Sequence, residues 1–184
     1  RKRSAYKNVQ HGNAAEIKYK EDRIEKRQNN ICYPIMIKQL KMSYRNKAYI
    51  QSELETNRPY EACGLLIGAK DIDIANVEKV QSVTNIRRSK VSFELEPMEF
   101  YNVWNTSEKE GKDIVGIYHT HPFSSAIPSI WDRETMENNS LVWLIAGIDG
   151  IRSYIWDNGI KSVKTIYYSV SQSLKVENAM EVIL

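Results

Sequence analysis

Two dipeptides constrain the fold of this chain more than any other feature. Asp149-Gly150 and Asn158-Gly159 each sit between runs rich in apolar, β-branched and aromatic residues. Such pairs accept the positive φ that tight hairpin turns demand. Leu141–Gly147, Arg152–Trp156 and Lys161–Val170 are therefore expected to form three successive antiparallel strands. Upstream, Ala62–Gly68 and Ile114–His119 are compact apolar runs of strand length, the mark of strands buried on both faces. Ile72–Val83 and Val91–Leu95 read as two further strands joined by the polar link Thr84–Lys90. Helices are predicted between them: Ser43–Asn57 with an imperfect stripe of Tyr44, Ala48, Ile50 and Leu54, a helix opening at Pro97 and ending near Gly111, and a short one over Ser129–Asn138. Helices interleaved with strands in this order predict a mixed α/β domain built on one curved sheet.

Length and composition narrow the class further. A chain of 184 residues with 42% hydrophobic and 27% charged residues suits one globular domain, not a disordered or fibrous chain. There is no run of about 18 apolar residues, so no membrane-spanning helix is expected. No signal-peptide core stands near the start, and the expected location is the cytoplasm. Two cysteines, Cys32 and Cys63, supply neither a disulfide framework nor a four-thiolate metal site. The net charge of +3 is uneven, because residues 1–30 hold nine Lys or Arg against four Asp or Glu. We read 1–35 as a basic polar extension in which Ala14–Arg27 is at most a marginal helix, 36–170 as the domain, and 171–184 as a tail. No aromatic residues are interleaved with the basic ones in a stripe, so nucleic acid is not the expected partner.

The chemistry concentrates in His119-Thr120-His121-Pro122, followed after six residues by Ser129-Ile130-Trp131-Asp132. Alternate residues of an extended chain face one way, so His119 and His121 can present imidazoles to one point. With Asp132 they make two nitrogen ligands and a carboxylate. That set leaves a position open, the composition of a catalytic zinc site whose fourth ligand is water. Ser129-x-x-Asp132 also reads as a helix cap, which would fix the orientation of Asp132. Hydrolysis at such a site needs a proton acceptor, and the candidate is Glu61, at the head of the apolar run Ala62–Gly68. Cys63 lies two residues further on, but no base partner for a nucleophilic thiol is identifiable.

Taken together, Glu61 and the pattern His119-x-His121-Pro122-x6-Ser129-x2-Asp132 resemble the full signature of the JAMM (MPN+) metalloproteases. The flanking segments Tyr60–Gly68 and Ile114–Pro122 are similar to those of prokaryotic members. The resemblance spans about residues 36–170. It implies an MPN fold, a cytidine-deaminase-like curved mixed sheet flanked by helices. It further implies Zn2+ held by His119, His121 and Asp132, Glu61 as general base and then acid, and Ser129 as a donor to the oxyanion. The implied substrates are ubiquitin-like or sulfur-carrier proteins, cut after a Gly-Gly end. Val80–Leu95 and the stretch between His121 and Ser129 are the expected groove walls. Only Arg133–Ser140 separate Asp132 from the next strand, so the insertion of the eukaryotic deubiquitinating members is absent.

Two other readings stay open on sequence grounds. Two histidines and a carboxylate also form the facial triad of iron(II) oxygenases, although that leaves Glu61 and Ser129 without a role. A non-catalytic scaffold of the same fold is the second. Sequence does not settle self-association, and the aromatic residues Trp143, Tyr154, Trp156, Tyr167 and Tyr168 suit core packing.

Overall fold

The computed structural model describes residues 36–170; the basic extension 1–35, with the segment Ala14–Arg27, and the tail 171–184 lie outside the described residues. Within them run β1 (Gln39–Ser43), α1 (Tyr44–Thr56), β2 (Cys63–Asp71), β3 (Ile74–Val83), α2 (Pro97–Lys109), β4 (Asp113–Thr120), α3 (Ile130–Met136), β5 (Val142–Gly147), β6 (Gly150–Trp156) and β7 (Ile160–Tyr168). The three C-terminal strands form the antiparallel meander that the Gly-containing turns demand, with Trp143 opposite Tyr154 and Tyr154 opposite Ser162. Asn158, Gly150 and Gly159 all take positive φ at those turns. No helix among the described residues is long and apolar enough to cross a membrane.

The sheet differs from the single curved sheet expected. It closes into a barrel in the order β1-β3-β2-β4-β5-β6-β7. The closing element is β1, a strand the sequence reading did not foresee. It runs parallel to β3, with Leu40 opposite Ala75, and parallel to β7, with Leu40 opposite Thr165. Its two core residues, Leu40 and Met42, alternate with half-buried polar ones, and a five-residue segment of that kind carries little signal. Closure leaves neither end of the sheet as an unpaired edge.

Strands β2, β4 and β5 are continuous apolar runs because both of their faces are covered. One face carries Leu66, Tyr118, Val142 and Leu144, which pack with Leu40, Met42, Val77 and Ile50 of α1. The other carries Leu65, Ile67, Ile117, Trp143 and Ile145, covered by Met136 of α3, Phe100 and Val103 of α2, and Phe93 and Leu95. Phe93 and Leu95 belong to the expected strand Val91–Leu95, which does not form; only Asn85 and Leu95 make an isolated bridge. Polar chemistry overrides the β-propensity of this stretch. The Asn85 side-chain oxygen accepts the Arg87 and Glu94 N–H groups, turning the chain back on itself.

The segment 122–128 lies over the C-terminal end of β5. The Ala126 N–H donates to Asp149 Oδ1 at 2.8 Å, and the Tyr154 hydroxyl donates to the Ala126 carbonyl at 2.7 Å. Gly147 makes this approach possible, since a Cβ there would run into the backbone of Ser124–Ala126. Gly147→Ala is therefore expected to destabilise the domain by about 1–3 kcal/mol, read as a lowered midpoint in denaturant titration. An unchanged midpoint would mean that this segment yields freely.

Candidate functional site

The site is assembled by the pairing of β2 with β4. Cys63 stands opposite His119. One step further, the Thr120 N–H donates to the Ala62 carbonyl at 2.9 Å, and the Ala62 N–H donates to Thr120 Oγ1 at 2.8 Å. Continuing that antiparallel register sets Glu61 opposite His121, and directly opposed residues project from the same face. Residues 119 and 121 also share that face, so Glu61, His119 and His121 converge although 58 residues separate the first two in sequence.

Asp132 reaches the same place from α3. Ser129 caps this helix by accepting the Asp132 N–H at 3.2 Å, while Asp132 Oδ2 accepts the Ser129 N–H at 2.7 Å. This reciprocal capping box fixes Asp132 in the first helical turn. Its carboxylate then lies 3.2 Å from His119 Nε2 through Oδ1, and 3.5 Å from His121 Nε2 through Oδ2. The two Nε2 atoms are 3.0 Å apart. Glu61, His119, His121 and Asp132 are all buried.

His121 Nδ1 is 2.8 Å from the Ser125 carbonyl. A carbonyl only accepts, so Nδ1 carries a hydrogen, and in the neutral ring the lone pair then lies on Nε2, facing the other two donors. Three donors crowded together without a cation between them is costly packing. A tetrahedral ion with bonds of 2.0–2.1 Å would hold its donors about 3.3 Å apart. The two Nε2 atoms stand close to that spacing, and one ligand atom from each of His119, His121 and Asp132 lies within 4.8 Å of the others, a group among the described residues that could hold a small divalent cation.

The electrostatics follow from burial. Desolvation pushes the Glu61 carboxyl up to about 7, against the pull of His121 and with a further push from Asp132. Burial drives His119 down, favouring the neutral imidazole that a cation requires. Burial opposes charge on His121 as well, but the hydrogen bonds to Asp132 and Ser125 hold it above its ordinary value. Asp132 is likewise opposed by burial, yet its hydrogen bonds to both imidazoles hold its carboxyl well below the usual carboxylate range. Burial, helped by Glu61, pushes the Cys63 thiol up to about 12, so it is not a thiolate nucleophile at neutral pH.

All five residues singled out from the sequence meet here. Sequence reasoning missed what supports them. The Ser125 carbonyl orients His121, and a backbone acceptor leaves no mark in residue identity. Asn85 donates to the Glu61 carbonyl at 2.9 Å, and the Glu61 N–H donates to the Ser89 carbonyl at 2.9 Å. Phe93 stacks on His119, with ring centroids 4.5 Å apart and planes at 21°.

Comparison with known proteins places the chain. A family model described as prokaryotic homologs of the JAB domain matches residues 47–157. A desampylase of Haloferax volcanii is 39% identical over 93 residues, covering 50% of this chain and 66% of that protein. A probable TtuB-protein conjugate cleaving protease of Thermus thermophilus is 30% identical over 111 residues, covering 59% of this chain and 70% of that protein. The chain thus spans just under two thirds of the desampylase it matches. A solution structure of a Desulfitobacterium hafniense protein superposes with a TM-score of 0.65 at 26% identity, over 71% of this chain and 93% of that one. The family match covers the greater part of the sequence and all five site residues, and the chain belongs to the prokaryotic homologs of the JAB domain.

Proposed function

We propose that the chain is a zinc-dependent peptidase or isopeptidase that hydrolyses the bond following the Gly-Gly end of a ubiquitin-like or sulfur-carrier protein. The observation that carries this reading is the meeting of Glu61 with a buried two-histidine, one-carboxylate cluster whose ligand atoms lie close enough together to share one cation. The names of the relatives support the substrate class, since they include desampylases and a protease of TtuB-protein conjugates.

His119, His121 and Asp132 would hold the zinc, which when bound supplies a Lewis acid and lowers the pKa of water in its open position. Glu61 accepts the proton of the attacking water and returns it to the leaving amine. A carboxyl held near 7 by burial suits both halves of that task. The Ser129 oxygen already accepts the Asp132 N–H, and its hydroxyl hydrogen remains available to donate to the oxygen of the scissile carbonyl. Phe123, Ile127, Ile130 and Trp131 are exposed on the segment between His121 and Asp132. That apolar lip suits a protein substrate.

Elemental analysis should find about one zinc per chain, lost in Asp132→Ala. Wild type should cut a linear fusion of a ubiquitin-like protein, ending in Gly-Gly, to a reporter. Glu61→Gln should keep the zinc and lose at least about 100-fold in rate. Iron in place of zinc, or cleavage that survives Glu61→Gln, defeats the proposal.

The same residue makes a stability prediction for the chelator-treated protein. The folded-state value of about 7 lies above the ordinary 4.5, so the folded chain binds this proton more tightly than the unfolded chain does. The resulting cost is absent below about pH 4.5, grows across the interval, and is complete above about 7, on the order of 3 kcal/mol at most. Metal-free Glu61→Gln should therefore melt above metal-free wild type at pH 8, and the gap should close by pH 4.5. A gap independent of pH contradicts the buried ionisation.

A further inference from the structure

We propose that Phe93 is a positioning residue for the metal: its ring, rather than a hydrogen bond, sets the orientation of the ligand His119. This rests on the metal reading above but concerns a residue that reading does not use. Imidazoles that ligate metals are ordinarily oriented by an acceptor on their other ring nitrogen, which fixes both tautomer and ring plane. His121 follows that rule through Ser125. His119 does not, because its Nδ1 is buried with no hydrogen-bond partner among the described residues. What surrounds the ring instead is aromatic. Phe93 lies flat against one face at 4.5 Å, and Trp143 meets it edge-on at 5.8 Å and 79°. A fully buried ring between a stacked face and a perpendicular edge cannot turn without displacing one of them.

Trp143 is part of β5 and is fixed by the barrel. Phe93 is fixed differently, by a device that also reaches the base. The Asn85 amide donates to the Ser92 carbonyl, and its oxygen accepts the Glu94 N–H, so it grips the chain on both sides of Phe93. The same amide donates to the Glu61 carbonyl. At the foot of this loop the Glu99 carboxylate accepts both the N–H and the hydroxyl of Thr84, at 2.7 and 2.8 Å, and the Glu96 N–H donates to the Thr84 carbonyl. The loop is therefore anchored to α2 and presents Phe93 in one place.

The test is zinc affinity by chelator competition, which needs no substrate. Phe93→Leu keeps an apolar filler and removes the flat ring; it should weaken zinc binding by about 10–100-fold, the range typical for residues that orient metal ligands. Phe93→Tyr keeps the ring and should bind zinc like wild type. Phe100→Leu is the packing control, since Phe100 packs against the same core cluster without a ring contact to His119; it should lower the melting temperature and leave zinc affinity alone. Wild-type affinity in Phe93→Leu overturns the proposal, as does equal weakening by Phe93→Leu and Phe100→Leu. A wild-type protein that binds no zinc overturns the metal reading itself, and this proposal falls with it; that outcome is distinguishable because it appears before any substitution is made.

Discussion

Everything at the site depends on one register, the antiparallel pairing of β2 with β4. With Cys63 opposite His119, the Glu61 carboxyl and both imidazoles emerge on one face at the end where the two strands stop pairing. A slip of one residue would turn Glu61 to the other face. The register is held by packing on both sides of the sheet. Leu66 and Tyr118 lock into one apolar cluster, while Leu65 and Ile117 lock into the other, so no slip leaves either face satisfied. Gly64 belongs to the same constraint, because any side chain there would collide with the β3 backbone and the Tyr118 ring. The precision of the site is a by-product of core packing.

Legibility in the sequence followed the range of the interactions. The meander was legible because its turns are local, and Asn158, Gly150 and Gly159 advertise their backbone angles by residue type. The cap of α3 was legible for the same reason, as Ser129 and Asp132 bond within three residues. His119 and His121 were legible from alternation, and Glu61 from its place at the head of a buried strand. Barrel closure was not legible, since it depends on β1 meeting β7 across more than 120 residues through a short segment of ordinary composition. The stretch Val91–Leu95 misled because its apolar residues do face the core, while its backbone is organised by the Asn85 side chain and not by a neighbouring strand.

The site is also where the domain is least well satisfied. The Glu61 carboxyl, two imidazoles and the Asp132 carboxylate share a buried space, and His119 Nδ1 there has no hydrogen-bond partner among the described residues. Burial chiefly makes Glu61 reluctant to ionise and His119 reluctant to protonate, with a smaller push from Asp132 on the first and from His121 on the second. Both tendencies leave a neutral nitrogen donor beside a carboxyl that titrates near physiological pH. The burial that opposes charge on Glu61 and His119 thus suits the cluster to a cation and a proton transfer.

Helix α3 illustrates how little regular structure such a site needs. Seven residues are too few to be helical on intrinsic propensity alone. Met136 anchors one end in the apolar cluster, and the capping box closes the other. Asp132 therefore completes the cap with its backbone N–H and Oδ2 while turning Oδ1 toward His119. The carboxylate is thus a structural cap and a candidate ligand at once, and the backbone of the helix start fixes its position. A cation held by this cluster would meet a carboxylate that the helix cap already aims at the two imidazoles.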